Sequence, residues 1–93
     1  MAQPKIGSVP FTKMLTANIN PAAVAANTSA VQTFTIDGLR TNMFPIVTAP
    51  SLAAGLVISH AWVSANDTLS VVFGNLTGTP INDVAQDIFI YIP

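Results

Sequence analysis

Short β-branched and aromatic runs alternate along most of the chain with clusters of Asn, Gly, Pro, Asp and Ser. The clusters recur roughly every 8–14 residues, the spacing of an all-β sandwich or barrel. Asn18 to Val24 reads as a weak first strand interrupted by Pro21, which suits an edge because proline cannot donate to a ladder. Val31 to Ile36 is a better strand, with Phe34 and Ile36 on one face, Thr33 and Thr35 on the other, and Asp37-Gly38 to end it. Asn42 to Thr48 gives a third before the break at Pro50. Leu56 to Ser64 and Thr68 to Asn75 are separated only by Ala65-Asn66-Asp67 and read as a hairpin. Turn residues then flank a short piece around Ile81, and Gln86 to Ile92 closes the chain. The pattern predicts a small antiparallel β-sandwich of six to seven strands, jelly-roll-like, over residues 16–93. Residues 1–15 differ: Pro4, Gly7 and Pro10 break any period, and proline keeps its predecessor extended, so this stretch reads as an extended N-terminal arm.

The faces of these strands carry the first functional hint. An ordinary sandwich strand alternates apolar toward the core with polar toward water. The last strand does not: if Ile88, Ile90 and Ile92 fill the core, Phe89 and Tyr91 point outward, and the opposite assignment only exchanges which set is exposed. The strand from Leu56 similarly turns His60 and Trp62 away from Val57, Ala61 and Val63. Outward aromatics in such number mark an interface. The competing reading is a barrel-like core with covering loops, since scattered apolar surface is normal.

Composition sharpens this picture. Half of the 93 residues are hydrophobic (51%), only Lys5, Lys13, Arg40, Asp37, Asp67, Asp83 and Asp87 are charged, and the formal net charge is −1. A small domain has much surface for its volume and ordinarily uses charge to stay dissolved, so these numbers imply a surface covered by partners. Without cysteine there is no disulfide, thiolate ligand or thiol nucleophile. Polar residues and prolines occupy the N-terminus where an export signal would be apolar, and the longest apolar run, Leu52 to Ile58, is far short of the ~20 residues of a membrane-spanning helix. Three scattered basic residues argue against nucleic acid. The expected partners are further copies of the chain and a protein lattice, with no membrane and no nucleic acid.

Candidate chemistry is sparse. Ser59 or Ser64 with His60 and Asp67 could be assembled on paper into a triad, but strand neighbours face opposite ways and no nucleophile elbow is present. One histidine with dispersed aspartates has none of the usual metal-ligand spacings; Asp83 and Asp87 form a close acidic pair that reads as turn and strand-edge residues. Asn-x-Ser/Thr triplets at Asn27, Asn66 and Asn75 read as turns. No enzyme, no cofactor and no metal are expected.

Residues 19–92 resemble a family of small β-sandwich proteins encoded near the major capsid genes of tailed bacteriophages. The resemblance rests on Ile19-Asn20-Pro21-Ala22, Gln32 to Ile36 with Gly38-Leu39, Ala54 to Ile58 through Ala61, Val63-Ser64-Ala65, Thr68-Leu69, and Phe73 to Thr77. It implies a virion structural protein made in the host cytoplasm, a decoration or cement protein bound to the major capsid protein on the capsid surface. Association as a homotrimer is favoured, because three-fold positions are common seats for such proteins. The family pattern often carries a basic residue where this chain has Trp62, and the arm before Thr16 lies outside the similarity. The residues expected at subunit or capsid interfaces are Pro4, Ile6, Val9, Phe11, His60, Trp62, Phe89 and Tyr91. The alternative is a head- or tail-fibre module that binds a host-surface glycan, with Trp62 and Tyr91 as stacking platforms.

Overall fold

The computed structural model describes residues 13–93, and all six of the elements it defines there are strands: β1 (Lys13–Ile19), β2 (Ser29–Thr35), β3 (Ile46–Thr48), β4 (Leu56–Ala65), β5 (Thr68–Asn75) and β6 (Gln86–Ile92). They form two antiparallel three-stranded sheets, ordered β1-β6-β3 and β2-β5-β4. The chain changes sheet at every connection except the β4–β5 hairpin, so each late strand lies between two earlier ones. The arm expected over residues 1–15 falls mainly outside the described residues; its last three residues open β1.

Both sheets feed one hydrophobic core. The first contributes Ile19, Ile88, Ile90 and Ile92, and the second contributes Leu56, Val63, Leu69, Val71 and Phe73. Val24, Ile36 and Leu39 enter from the connections, and Leu15, Ala17, Phe34, Val47, Ile58 and Ala61 pack around them. Phe34 meets Phe73 edge to face, 6.3 Å between ring centres, the arrangement favoured by the ring quadrupoles. Of the two faces of β6, the one with the three isoleucines is inside.

Three strands and one register differ from the pattern-based expectation. The first strand lies at Lys13–Ile19 and ends before Pro21, whose missing N–H is incompatible with continuing the ladder; Val24 instead makes an isolated bridge to Ile81, the whole of the expected short piece there. β2 starts at Ser29, two residues early. β3 shrinks to Ile46–Thr48 because a turn closed by Met43 N–H to the Arg40 carbonyl (3.0 Å) occupies the preceding residues. In β4 the register against β5 shifts between Ile58 and His60 and again between Val63 and Ala65. The first shift breaks strict alternation, so Val57 faces outward with His60 and Trp62, while Leu56, Ile58, Ala61 and Val63 line the core.

Two polar hubs tie the connections down. Asn75 is buried; its amide nitrogen donates to the carbonyls of Val24 (3.0 Å) and Thr79 (2.8 Å), and its oxygen accepts from the N–H (2.9 Å) and hydroxyl (2.7 Å) of Thr77. Every hydrogen-bonding atom of the amide group is thereby engaged, which is what makes its burial tolerable. Of the three triplet asparagines, Asn27 and Asn66 do lie in turns, whereas Asn75 ends a strand with its side chain inside. Asp67, in the left-handed region at φ 61°, accepts from the Gly38 N–H (2.8 Å) and from Arg40 (2.7 Å), fastening the β4–β5 turn to the loop after β2.

Candidate functional site

The outer face of the second sheet is built on β5, whose neighbours set its rows. Val31 and His60 flank Val72, Thr33 and Trp62 flank Ser70, and Ser29 and Val57 flank Gly74. Val31 is 58% exposed and Val57 38%. His60 and Trp62 stack with ring centres 4.9 Å apart and planes 20° from parallel, because they stand two residues apart on one face of an unbroken stretch of β4. Half-buried Trp62 lies opposite Ser70, whose hydroxyl is buried and donates to Ser64 Oγ at 2.7 Å. Beyond this stack the face falls into an open depression of about 550 Å³ lined by residues including Ser29, Val57, Ser59, Gly74 and Leu76. Gly74 keeps it open: a Cβ there would stand 3.1 Å from Val57 Cγ2.

The outer face of the first sheet is graded from apolar to polar. At one end Met14 and Ile46 flank Tyr91; in the middle Thr16 and Thr48 flank Phe89; at the far end Asn18 donates to Asp87 at 3.0 Å. Met14 is 57% exposed and Ile46 49%, and Phe44, just before β3, is 79% exposed. Phe89 and Tyr91 are half-buried on this side, and Tyr91 is engaged in an interaction of its own. Of the expected interface residues, then, His60 and Trp62 share the second sheet, Phe89 and Tyr91 share the first, and Pro4, Ile6, Val9 and Phe11 lie outside the described residues. Met14, Val31, Ile46 and Val57 join these faces without having been singled out in the sequence. Val31 and Ile46 stand at outward positions of alternating strands, a signal the sequence did carry.

The paper triad does not assemble. Ser59 Oγ reaches the Val72 carbonyl at 3.4 Å, His60 is stacked on Trp62, and Asp67 is committed to Gly38 and Arg40. The Gly38 hydrogen bond, followed by that of Arg40, holds the Asp67 carboxyl below the ordinary carboxylate range. At Asp83 burial pushes the carboxyl up, but hydrogen bonds from the Ala53 N–H, the Gln86 amide and the Val84 N–H outweigh it and hold the group low. Asp83 thus ties the loop before β4 to the start of β6, and Asp87 serves Asn18 at the strand edge. Among the described residues no three His, Cys, Asp or Glu side chains converge as metal ligands, and no helix is long and apolar enough to cross a membrane. Compared with known protein families, curated proteins and solved structures, the chain matches none.

Proposed function

We propose that this protein is a structural subunit of a bacteriophage virion, a decoration or cement protein that seats on the major capsid protein and stabilises the shell without catalysing a reaction. The carrying observation is the outer face of the second sheet. It sets a stacked His60–Trp62 pair beside exposed Val31 and Val57 and includes no charged residue among its paired positions. An aromatic anchor amid aliphatic surface is the composition of an interface centre. The low charge of the chain supports the same reading, since attachment through such a face depends on apolar burial more than on ion pairs. In this reading the two sheets form a reduced jelly-roll sandwich, supported by β5 nested between β2 and β4 and β6 between β1 and β3.

The fibre-module alternative requires polar side chains converging on an aromatic platform. The row partners of Trp62 are Thr33 and Ser70, and the Ser70 hydroxyl is already used by Ser64. Counting copies of the protein in purified particles of the virus that encodes it separates the readings. A shell subunit is present in hundreds of copies, and a count in the low tens refutes it.

A further inference from the structure

We infer that two copies of this chain pair antiparallel through the free edge of β2, joining their second sheets into one continuous sheet about a two-fold axis. The inference stands on the strand edge and not on the virion reading.

The hydrogen bonds at the ends of β2 fix which of its backbone groups are free. The Asn75 N–H donates to the Thr28 carbonyl (2.9 Å) and the Ile36 N–H to the Asp67 carbonyl (2.9 Å), both in the register that pairs β2 with β5. An antiparallel strand turns alternate residues toward opposite neighbours, so Ala30, Gln32 and Phe34 bond to β5, while Ser29, Val31, Thr33 and Thr35 aim their N–H and C=O groups at the open side. All four are exposed, and among the described residues none of these outward groups has a partner. The segment that leads into β2 spends its own groups elsewhere: the Gln32 amide takes both backbone groups of Ala22 (2.8 and 2.9 Å), and Ile81 takes both of Val24.

A free edge recruits another strand unless something blunts it. The other edges are blunted: β1 opens on Lys13, β3 is three residues long, and β4 is interrupted by two register shifts. β2 has seven residues with no charge, no proline and an unbroken register. A second copy of β2 fits it because the strand matches itself when reversed. About a two-fold at Gln32, Ser29 stands opposite Thr35 and Val31 opposite Thr33 as bonded pairs, and Ala30 opposite Phe34 sets a small side chain against a large one. Each outward residue then gives and takes one bond, roughly eight across the join, and no charge is brought into it. The contact is isologous and closes at two copies, where the family resemblance favours three. It also places two His60–Trp62 pairs on one sheet, with the β4 strands about 24 Å apart at ~4.8 Å per strand.

The chain has no cysteine, so the register can be read by disulfide trapping in the full-length protein. Val31→Cys and Thr33→Cys chains are produced together and oxidised at micromolar concentration. Opposed residues of a bonded pair stand ~5.5 Å apart at Cα, within disulfide reach. Either variant alone meets its own copy only on the diagonal, at ~7–8 Å, beyond that reach. Covalent dimers in the mixture, at least tenfold above either variant alone, are expected. No link, or equal linking by a single variant, overturns the proposal. Sedimentation of the parent should show a dimer, and Val31→Pro should raise its dissociation constant at least tenfold with the β circular dichroism retained, because the N–H it removes faces away from β5. A monomeric or trimeric parent, or an unchanged constant, contradicts edge pairing; if Val31→Pro does not fold, the cysteine pair decides alone. A chain that dimerises in this way yet ignores capsids sinks the virion reading alone; a monomer that binds capsids sinks this inference alone.

Discussion

Replacing Trp62 by Ala and, in parallel, Phe73 by Ala separates an interface anchor from a core residue. Phe73 is fully buried and meets Phe34 edge to face, so its truncation removes a core side chain and an aromatic pair. A Phe→Ala change of this kind costs about 3–5 kcal/mol. A domain of this size holds ~5–14 kcal/mol in all, at 0.05–0.15 kcal/mol per residue, so the loss is a large share of the total. Trp62 lies on the outside, half-buried, and its identified ring contact is the stack with His60. Losing that stack costs ~0.5–1.5 kcal/mol beyond area. Ser70 beneath keeps its bond to Ser64, so no buried polar group is orphaned. The expected folding cost is therefore ~1–2 kcal/mol, a fall in Tm of about 4–16 °C, against ~12 °C or more for Phe73→Ala. Attachment should respond in the opposite order: loss of a central anchor costs ~2 kcal/mol or more, about thirtyfold in Kd. Thermal unfolding by circular dichroism and sedimentation with capsids measure both quantities. If Trp62→Ala unfolds as readily as Phe73→Ala, or binds capsids as tightly as the parent, Trp62 is not the anchor.

Asn75→Ala should cost about 1–3 kcal/mol in urea unfolding, because it removes the bonds of a buried amide and leaves the Thr77 N–H without its acceptor, while the Val24 and Thr79 carbonyls keep the Ile81 N–H and the Thr77 hydroxyl; a cost under ~0.5 kcal/mol would show that the loops re-satisfy themselves. Gly55→Ala should lower stability more than Gly78→Ala, since Gly55 sits at φ +93° and its Cβ would overlap Thr77 Cγ2, whereas a Cβ at Gly78 meets nothing within 4 Å; equal melting temperatures would contradict this. Acid should destabilise the fold through Asp67 and Asp83: both carboxyls are lowered on folding, so the stability they contribute is complete above about pH 4 and is lost as pH falls through their folded-state values. Urea midpoints between pH 7 and pH 2 check the sign, and Asp83→Asn should flatten the acid limb; an unchanged limb refutes the assignment.

The hairpin at residues 56–75 was legible because two strand-forming runs are separated by turn residues, and the left-handed Asp67 is one of them. That β6 has two distinct faces was legible from the strict alternation of its three isoleucines with Phe89 and Tyr91, but which set is buried was open in the sequence and is decided by packing, which takes the isoleucines inside. Val57 was not legible: a one-residue shift after Ile58 changes the face of everything before it, and nothing in Val57-Ile58-Ser59-His60 announces it. The start of β1 was hidden because Lys13 and the prolines before it lower the β signal, while pairing with the apolar β6 decides the strand. Asn75 looked like a turn residue because its sequence context is polar; its role as a buried tie depends on Val24 and Thr79, which only the fold brings to it. For the candidate interface, aromatic alternation pointed to both faces and put His60 and Trp62 on one side of β4, but it is the shift in β4 that adds Val57 to that side, and Phe44, just before the shortened β3, is exposed.

Reconstitution onto particles lacking this protein tests capsid attachment most directly. Purified protein is added to such particles, and binding and particle melting are measured at ~0.15 M and ~1 M salt, between which the Debye length falls from about 8 Å to about 3 Å. The account predicts saturable binding that survives high salt and raises the particle melting temperature with occupancy, because a ligand of the assembled lattice shifts the equilibrium toward it. No binding, or binding that disappears at ~1 M salt, would contradict attachment through the uncharged Trp62 face.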